Sequence, residues 1–180
     1  MIKPQYANDL SIAEFIEWEN QQGTRHELLD NQIIAMTGGT VAHAGLIVGL
    51  AARLFNHLRG TPCRVFASDL KVQAAHNVFY PDVVVSCTSQ ENDGVLCQNP
   101  KLIIEVLSSS TFRKDRHNKR LAYQQIESLE EYVLVSQEAR HVEVYRRADD
   151  WQASIHIGGV MEFRSVDFML ALDEIYAGLD

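Results

Sequence analysis

Two acidic residues lie in or beside the most apolar segments of the chain, where an ionised side chain is costly. Asp82 directly precedes the apolar residues 83–85, and Glu105 interrupts the apolar residues 102–107. Such aliphatic runs are typical of strands buried on both faces, and a carboxylate there must be paired, hydrogen-bonded or bound to a cation. Two carboxylates on adjacent strands repel each other unless a divalent cation lies between them, and oxygen ligands favour Mg²⁺ or Mn²⁺. The pattern predicts a metal site at Asp82 and Glu105, to which the backbone carbonyl of Val106 would add a ligand.

A basic segment follows Glu105 and would bring positive charge to the same region. Residues 113–120 contain one acid and five bases, namely Arg113, Lys114, Arg116, Lys119 and Arg120. This segment has a net charge of +4, whereas the rest of the chain has −12. A phosphate is negatively charged, so positive charge beside the carboxylates would favour its binding. We therefore assign the four bases other than Lys119 to nucleic-acid binding. The solvated face of an ordinary helix is the alternative, and the sequence leaves both interpretations open.

Lys119 lies on a stripe with two other polar side chains. Asp115, Lys119 and Tyr123 follow one another at four-residue spacing and therefore share one face of the predicted helix. Hydrolysis of a phosphodiester needs a cation, an in-line water and stabilisation of the leaving oxygen. Lys119 is the candidate for orienting that water or for countering charge on the phosphate. A plain surface pair between Asp115 and Lys119 is the alternative.

The order of these residues resembles the PD-(D/E)XK restriction-endonuclease-like superfamily. The resemblance rests on Pro81-Asp82, on the gap of 23 positions to Glu105 and on the Ser-rich turn that leads into the helix with Lys119. Within the superfamily, the chain is most similar to the Uma-type restriction endonuclease family. Where the superfamily has its motif lysine, this chain has Leu107. In the Uma-type family the next helix supplies the lysine, which implies Lys119.

The resemblance also implies an activity and further site residues. Its other matching motifs are residues 27–30, His43 and residues 69–72, so it extends over about residues 11–135. It implies an endonuclease that hydrolyses DNA with Mg²⁺ or Mn²⁺, in which Glu27 and His43 are accessory contacts to metal or substrate. An edge-strand charge for Glu27 and a packing role for His43 are the alternatives.

Leu107, at the usual position of the motif lysine, is also consistent with a chain that has the nuclease fold but no activity. The net charge is −8, from 16 Lys and Arg against 24 Asp and Glu, which is unfavourable for broad contact with a polyanion. One alternative is therefore a catalytically degenerate nuclease-fold module for nucleic-acid binding or oligomerisation. An unrelated α+β domain is the other. If both DNA strands are cut at one site, we expect a two-fold homodimer, for which residues 141–157 offer edge strands.

The periodicity of apolar residues predicts an α/β or α+β protein in which helices flank a central mixed sheet. Helices are predicted at residues 11–22, 40–58, 112–127 and 173–178, and strands at 25–29, 32–36, 64–67, 70–73, 78–86, 102–107, 132–136, 141–146 and 151–157. The first two strands form an extra N-terminal hairpin, and the last two are extra C-terminal strands, around a restriction-endonuclease-like core. The 180 residues are expected to form one nuclease-like domain.

The sequence also predicts a compartment and a cysteine state. The N-terminal residues lack the apolar core of a signal peptide, and the longest apolar stretch, residues 46–52, is too short to span a bilayer. We therefore expect a cytoplasmic protein with no membrane partner. Cys63, Cys87 and Cys97 are odd in number and lack metal-ligand spacing, so they are expected to be reduced. A redox pair of Cys87 and Cys97 is the alternative.

Overall fold

The computed structural model describes residues 10–107 and 113–179, with the side chains of 113–116 left out. In chain order the elements are α1 (Ile12–Glu19), β1 (His26–Leu29), β2 (Gln32–Ala35), α2 (Val41–His57), β3 (Arg64–Ala67), β4 (Val72–Ala74), β5 (Asn77–Phe79), β6 (Val83–Ser86), β7 (Pro100–Leu107), α3 (Arg113–Gln124), β8 (Glu131–Ser136), β9 (Val142–Arg146), β10 (Ala153–His156), β11 (Val160–Phe163), β12 (Phe168–Ala171) and α4 (Leu172–Ile175).

Six strands form the central sheet in the order β10-β9-β8-β7-β6-β3. Neighbouring strands are antiparallel except β7 and β8, which are parallel and joined through α3. A parallel pair needs a crossover connection of this kind, whereas antiparallel neighbours can be joined by tight turns. The arrangement confirms the predicted mixed sheet flanked by helices.

The central sheet is buried on both faces, which is why its inner strands are almost continuously apolar. On one face, Leu46, Leu50 and Leu54 of α2 pack against alternate residues of the sheet and against the C-terminal elements. On the other face, Tyr123 of α3 packs against a second apolar cluster. Burial of both faces makes a charged side chain in an inner strand expensive, as the sequence indicated for Glu105.

The N-terminal half follows local signals in the sequence closely. Ser11 and Glu14 form the predicted capping box at the start of α1, with the Ser11 N–H donating to Glu14 Oε2 at 2.8 Å. Asp30 and Asn31 both adopt left-handed backbone conformations, with φ of 49° and 60°, as a tight hairpin turn between β1 and β2 requires. Helix α1 ends at Glu19, earlier than predicted.

One predicted strand proved to be two. Residues 78–86 were expected to form a single strand, but β5 belongs to a small four-stranded sheet of order β2-β1-β5-β4, whereas β6 belongs to the central sheet. The chain changes sheet at residues 80–82, where Pro81 has no N–H to continue a ladder. Asp82 therefore lies where the two sheets meet.

The C-terminal segment contains a hairpin that the sequence did not predict. Strands β11 and β12 pair antiparallel and bury Met161, Phe163 and Leu170 against the α2 face of the core. Helix α4 follows at once and begins one residue earlier than the predicted helix. Among the described helices, none is long and apolar enough to cross a membrane.

The expectation of three reduced cysteines was wrong. Cys63 and Cys87 form a disulfide, while Cys97 is free and buried. The pairing follows from the sheet, because Arg64 lies opposite Ser86 in the β3–β6 ladder, which brings the preceding and following cysteines together. The alternative pair of Cys87 and Cys97 is excluded by the same arrangement.

Candidate active site

The backbone of two neighbouring strands brings Asp82 and Glu105 together. In the antiparallel ladder of β6 and β7, Val83 lies opposite Ile104, and one further step along the same register places Asp82 opposite Glu105. Directly opposite residues project their side chains to the same face of a sheet. The Val106 N–H donates to Asp82 Oδ2 at 2.7 Å and holds this carboxylate against β7.

Glu105 is buried and accepts two hydrogen bonds on one oxygen. The Tyr123 hydroxyl donates to Oε1 at 3.0 Å, and the Lys119 ammonium lies 2.9 Å from the same atom. Burial raises the pKa of Glu105 to about 7, since the nearby ammonium of Lys119 only partly offsets the loss of water. The negative charges of Asp82 and Glu27 act in the same direction as burial. The site therefore concentrates negative charge that a cation would relieve.

Lys119 lies between two carboxylates rather than in solvent. Its Nζ is 2.8 Å from Glu27 Oε1 and 2.9 Å from Glu105 Oε1, and it lies 5.2 Å from the centre of the Phe79 ring. Burial disfavours the charged amine, but Glu105 and Glu27 outweigh this effect, so the pKa of Lys119 is raised. The ammonium is thus a fixed positive charge beside Glu105, on the helix that the sequence indicated.

Glu27 reaches the site from the other sheet. It lies on β1, and its Oε1 accepts a hydrogen bond from the Tyr80 N–H at 2.9 Å in addition to the contact with Lys119. Tyr80 lies two residues before Asp82 on the segment that joins the sheets. The Glu27 carboxylate therefore contacts Lys119 and also holds the backbone segment that leads to Asp82.

His43 approaches Asp82 from the start of α2. Its Nε2 lies 3.5 Å from Asp82 Oδ2, and its pKa is raised by the hydrogen bond with Asp82, which outweighs burial. Thr40 caps the helix by accepting from the His43 N–H at 3.1 Å. Gly39 leaves the room that the imidazole occupies, because a Cβ there would lie 2.6 Å from Nδ1 of His43. The structure thus brings both accessory candidates, Glu27 and His43, to the carboxylate pair.

A second buried charge cluster supports the site, and its role could not be predicted from the spacing of its residues. The Lys71 ammonium lies 3.0 Å from Glu19 Oε2 and donates to Asn20 Oδ1 at 2.6 Å. The Tyr80 hydroxyl donates to the same Glu19 oxygen at 2.6 Å. This anchor cluster of Glu19, Asn20, Lys71 and Tyr80 attaches α1 to the segment before Asp82. Lys71 falls in a motif of the resemblance, but a partner 52 positions away cannot be identified from spacing.

We expect Lys71→Met to destabilise the fold by about 3 kcal/mol, because it leaves the carboxylate of Glu19 buried without its cation. Burial raises the pKa of Glu19, but hydrogen bonds from Tyr80 and Lys71 outweigh burial, so that the pKa is lowered on folding. A carboxyl with a lowered pKa stabilises the fold above its unfolded pKa, and this contribution is lost as the pH falls through the folded pKa.

Urea unfolding of Lys71→Met and wild type at neutral and acidic pH measures this loss. The difference in unfolding free energy between wild type and Lys71→Met should therefore become smaller below about pH 4.5. Lys101→Met is the matched control, since Lys101 pairs with the exposed Glu130 at the surface and its loss should cost less than about 1 kcal/mol. Equal effects of the two substitutions would contradict the prediction.

Three comparisons place the chain among known proteins. Residues 12–167 match the family Uma2, described as "Putative restriction endonuclease". The chain belongs to this family. Two proteins of Synechocystis sp. are similar to it: slr1290, 36% identical over 94% of this chain and 93% of that protein, and sll1609, 32% identical over 79% and 84%. Both relatives are named as uncharacterized proteins.

The fold of this Uma2 chain is also found in a solved structure. A crystal structure titled as a putative nuclease belonging to DUF820 from Anabaena variabilis superposes with a TM-score of 0.81, over 95% of this chain and 99% of that chain. The sequence identity is 15%, so this likeness shows the fold. Family membership and fold together support a nuclease-like function.

The remaining residues assigned from the sequence lie on helix α3, and some of their side chains are outside the described part of this Uma2 chain. The side chains of Arg113, Lys114, Asp115 and Arg116 are outside the described part of the chain, so their roles stay predictions. The Arg120 guanidinium lies 4.7 Å from the centre of the Tyr145 ring, and Tyr123 is the hydroxyl donor to Glu105. The stripe prediction thus holds for Lys119 and Tyr123, which both contact Glu105.

The donor set fits a hard divalent cation that uses few protein ligands. Within the described residues, no three His, Cys, Asp or Glu side chains converge as a metal-binding group. In the part of the chain that the structure describes, the hydrogen bonds to this pair use Oδ2 of Asp82 and Oε1 of Glu105 and leave the second oxygen of each carboxylate for another ligand. Mg²⁺ typically binds through one or two carboxylates and substrate phosphates while keeping several waters. The Val106 N–H donates to Asp82, and the predicted role of the Val106 carbonyl as a metal ligand stays a prediction.

Proposed function

We propose that this chain is a metal-dependent endonuclease that hydrolyses phosphodiester bonds of DNA. The observation that carries the proposal is the contact of 2.9 Å between Lys119 and Glu105, on the strand beside Asp82. Two acids on neighbouring inner strands and a lysine beside them combine cation binding with a fixed positive charge. Membership of a restriction endonuclease family supports a phosphodiester as the substrate class.

Asp82 and Glu105 would hold Mg²⁺ or Mn²⁺. Bound there, the cation would lower the pKa of a coordinated water and neutralise charge on the phosphate. Tyr123 fixes the orientation of Glu105 by donating to Oε1, and Val106 fixes Asp82 through its N–H. These two hydrogen bonds hold the carboxylates before the substrate arrives, so less reorganisation is needed during the reaction.

Lys119 would stabilise the negative charge that develops on the phosphate. Its side chain is only 17% exposed and is held by Glu27 and Glu105, so little of a water shell has to be removed from it during the reaction. His43 lies beside Asp82 and would contact the phosphate from the α2 side. The basic residues 113–120 would bind the flanking phosphates, which makes the affinity for DNA dependent on salt.

We expect Mn²⁺ to bind wild type at one site and to bind Asp82→Ala far more weakly, because one of two charged protein ligands is lost. Isothermal titration calorimetry measures both affinities directly. In parallel, wild type should nick supercoiled plasmid with Mg²⁺ or Mn²⁺, and a chelator should stop the reaction. Asp173→Ala is the matched control, since Asp173 is an exposed carboxylate that pairs with Arg140. Unchanged Mn²⁺ affinity in Asp82→Ala would overturn the assigned metal site.

A further inference from the structure

Helix α2 exposes a continuous apolar stripe on the side away from the core. The stripe consists of Val41, Gly45, Val48, Ala52 and Phe55, all of them exposed. Val41 is 91% exposed, Val48 66% and Phe55 60%. The spacing alternates four and three residues, which is the a/d pattern by which one helix packs along another. Gly45 lies beside Leu179, whose Cδ2 would be 3.4 Å from a Cβ at that position, and the small side chain of Ala52 would allow a close approach of the partner helix.

The stripe is not the polar face that a surface helix normally has. A helix with one side in the core usually presents charged residues to water on the other side. Helix α2 contains no Asp or Glu in 17 residues, although the chain has 24 acidic residues and a net charge of −8. Two copies of such an acidic chain repel each other over most surfaces. The stripe has no charged side chain, so it can contact its own copy without repulsion between like charges.

We propose that the α2 stripe is a self-association surface on which a second copy of the chain packs its own α2 in antiparallel orientation. Val48 is the midpoint of the stripe, so a two-fold axis there sets Val48 against its own copy and Val41 against Phe55 of the partner subunit. A parallel pair would instead set Phe55 against Phe55 and align the two helix dipoles unfavourably. The antiparallel pair packs a large side chain against a smaller one and opposes the dipoles.

The size of the α2 stripe determines the affinity that we expect for the dimer. Helix α2 is about 25 Å long and about 10 Å wide. The area of its exposed face is therefore smaller than the area of about 800 Å² that each partner buries in a standard interface. A groove of about 430 Å³ extends the patch beyond Phe55, lined by Leu58, Arg59, Thr61, Cys63 and Val65 among others. In the antiparallel pair this groove lies beside the α2 N-terminus of the partner subunit. We therefore expect a reversible dimer with micromolar affinity.

The pair would set the relative position of the two carboxylate sites. His43 lies five residues from Val48, so the two copies of His43 would be separated by roughly 15 Å along the helix axes. The stripe itself includes no residue of the carboxylate site, so association needs neither metal nor nucleic acid. A failure of the nuclease proposal would therefore leave the dimer unaffected, and the reverse also holds.

Sedimentation equilibrium of metal-free protein tests the surface. Wild type should form a concentration-dependent dimer between about 1 and about 100 µM, and Val48→Glu should weaken it at least about 100-fold, because two carboxylates would meet at the two-fold axis. Ile155→Glu is the matched control, since Ile155 is 61% exposed on the edge strand β10, within the residues 141–157 that would form the alternative dimer surface. The control should dimerise like wild type, and circular dichroism should show that both variants are folded.

Cysteine cross-linking tests the orientation without adding a charge. Under oxidising conditions Val48→Cys should form a disulfide-linked dimer, and a mixture of Val41→Cys and Phe55→Cys should form a linked heterodimer. Val41→Cys alone should not cross-link. A wild type that is monomeric at the highest concentration, a Val48→Glu dimer as strong as wild type, or dissociation by Ile155→Glu would overturn the proposed surface. Cross-linking of Val41→Cys alone would overturn the antiparallel arrangement.

Discussion

Glu105→Gln should lower DNA cleavage at least about 1000-fold while leaving the fold intact, because the amide keeps the shape of the side chain but removes a charged metal ligand. The substitution keeps an oxygen that can accept the hydrogen bond of the Tyr123 hydroxyl. Single-turnover cleavage of labelled duplex DNA with Mg²⁺ in excess measures the chemical step rather than substrate binding.

Glu130→Gln is the matched control for this loss. Glu130 pairs with Lys101 at the surface and lies outside the carboxylate site, so its rate should equal that of wild type. Equal residual activity in wild type and Glu105→Gln, across duplex and single-stranded substrates, would contradict the nuclease assignment. A nuclease-fold module that binds nucleic acid or oligomerises without cleaving would then be the better account.

The second large effect is expected for Lys119→Met. Removal of the ammonium leaves Glu27 and Glu105 facing each other in a buried site, so the metal-free protein should lose about 3 kcal/mol of stability. Cleavage should fall by about 100- to 1000-fold, because the phosphate loses a preorganised positive charge. Thermal unfolding without metal and single-turnover cleavage with Mg²⁺ measure the two effects separately.

Lys101→Met again provides the surface control and should change neither quantity. Saturating Mn²⁺ should restore part of the stability of Lys119→Met, since a bound cation would neutralise Glu105 in place of the ammonium. A variant that is destabilised but cleaves at the wild-type rate would show that Lys119 only neutralises its two carboxylates. That result would remove the lysine from the proposed mechanism.

The features that could be predicted from the sequence are those whose energetic cost or benefit depends on neighbouring residues in the chain. A carboxylate in a run of aliphatic residues is unfavourable wherever the run packs, so Glu105 could be selected without knowledge of its neighbours. Lys119 was assigned from the resemblance to the Uma-type family, and the requirement that a crossover helix pack back onto its sheet explains why its helix lies beside Glu105. Ser11, Asp30 and Asn31 likewise specify a helix start and a turn through interactions within a few residues.

The parts that were missed depend on contacts between distant segments. The apolar residues 78–86 have a uniform pattern, and only the position of β5 beside β1 shows that they divide between two sheets. The disulfide of Cys63 with Cys87 likewise depends on the pairing of β3 with β6. The anchor cluster joins Glu19 to Lys71 across 52 positions of the chain. None of these contacts has a signature within a short window of sequence.

The origin of the site in two sheets has a thermodynamic consequence. Glu27 belongs to the small sheet, whereas Glu105 belongs to the central sheet, and Lys119 joins them. A ligand that binds only when both sheets are docked must increase the free energy required to separate them, by an amount set by its concentration and affinity. Affinity for the ligand and the docking of the small sheet are therefore linked quantities. A substitution far from the carboxylates that loosens the small sheet would weaken binding without changing a single ligand contact.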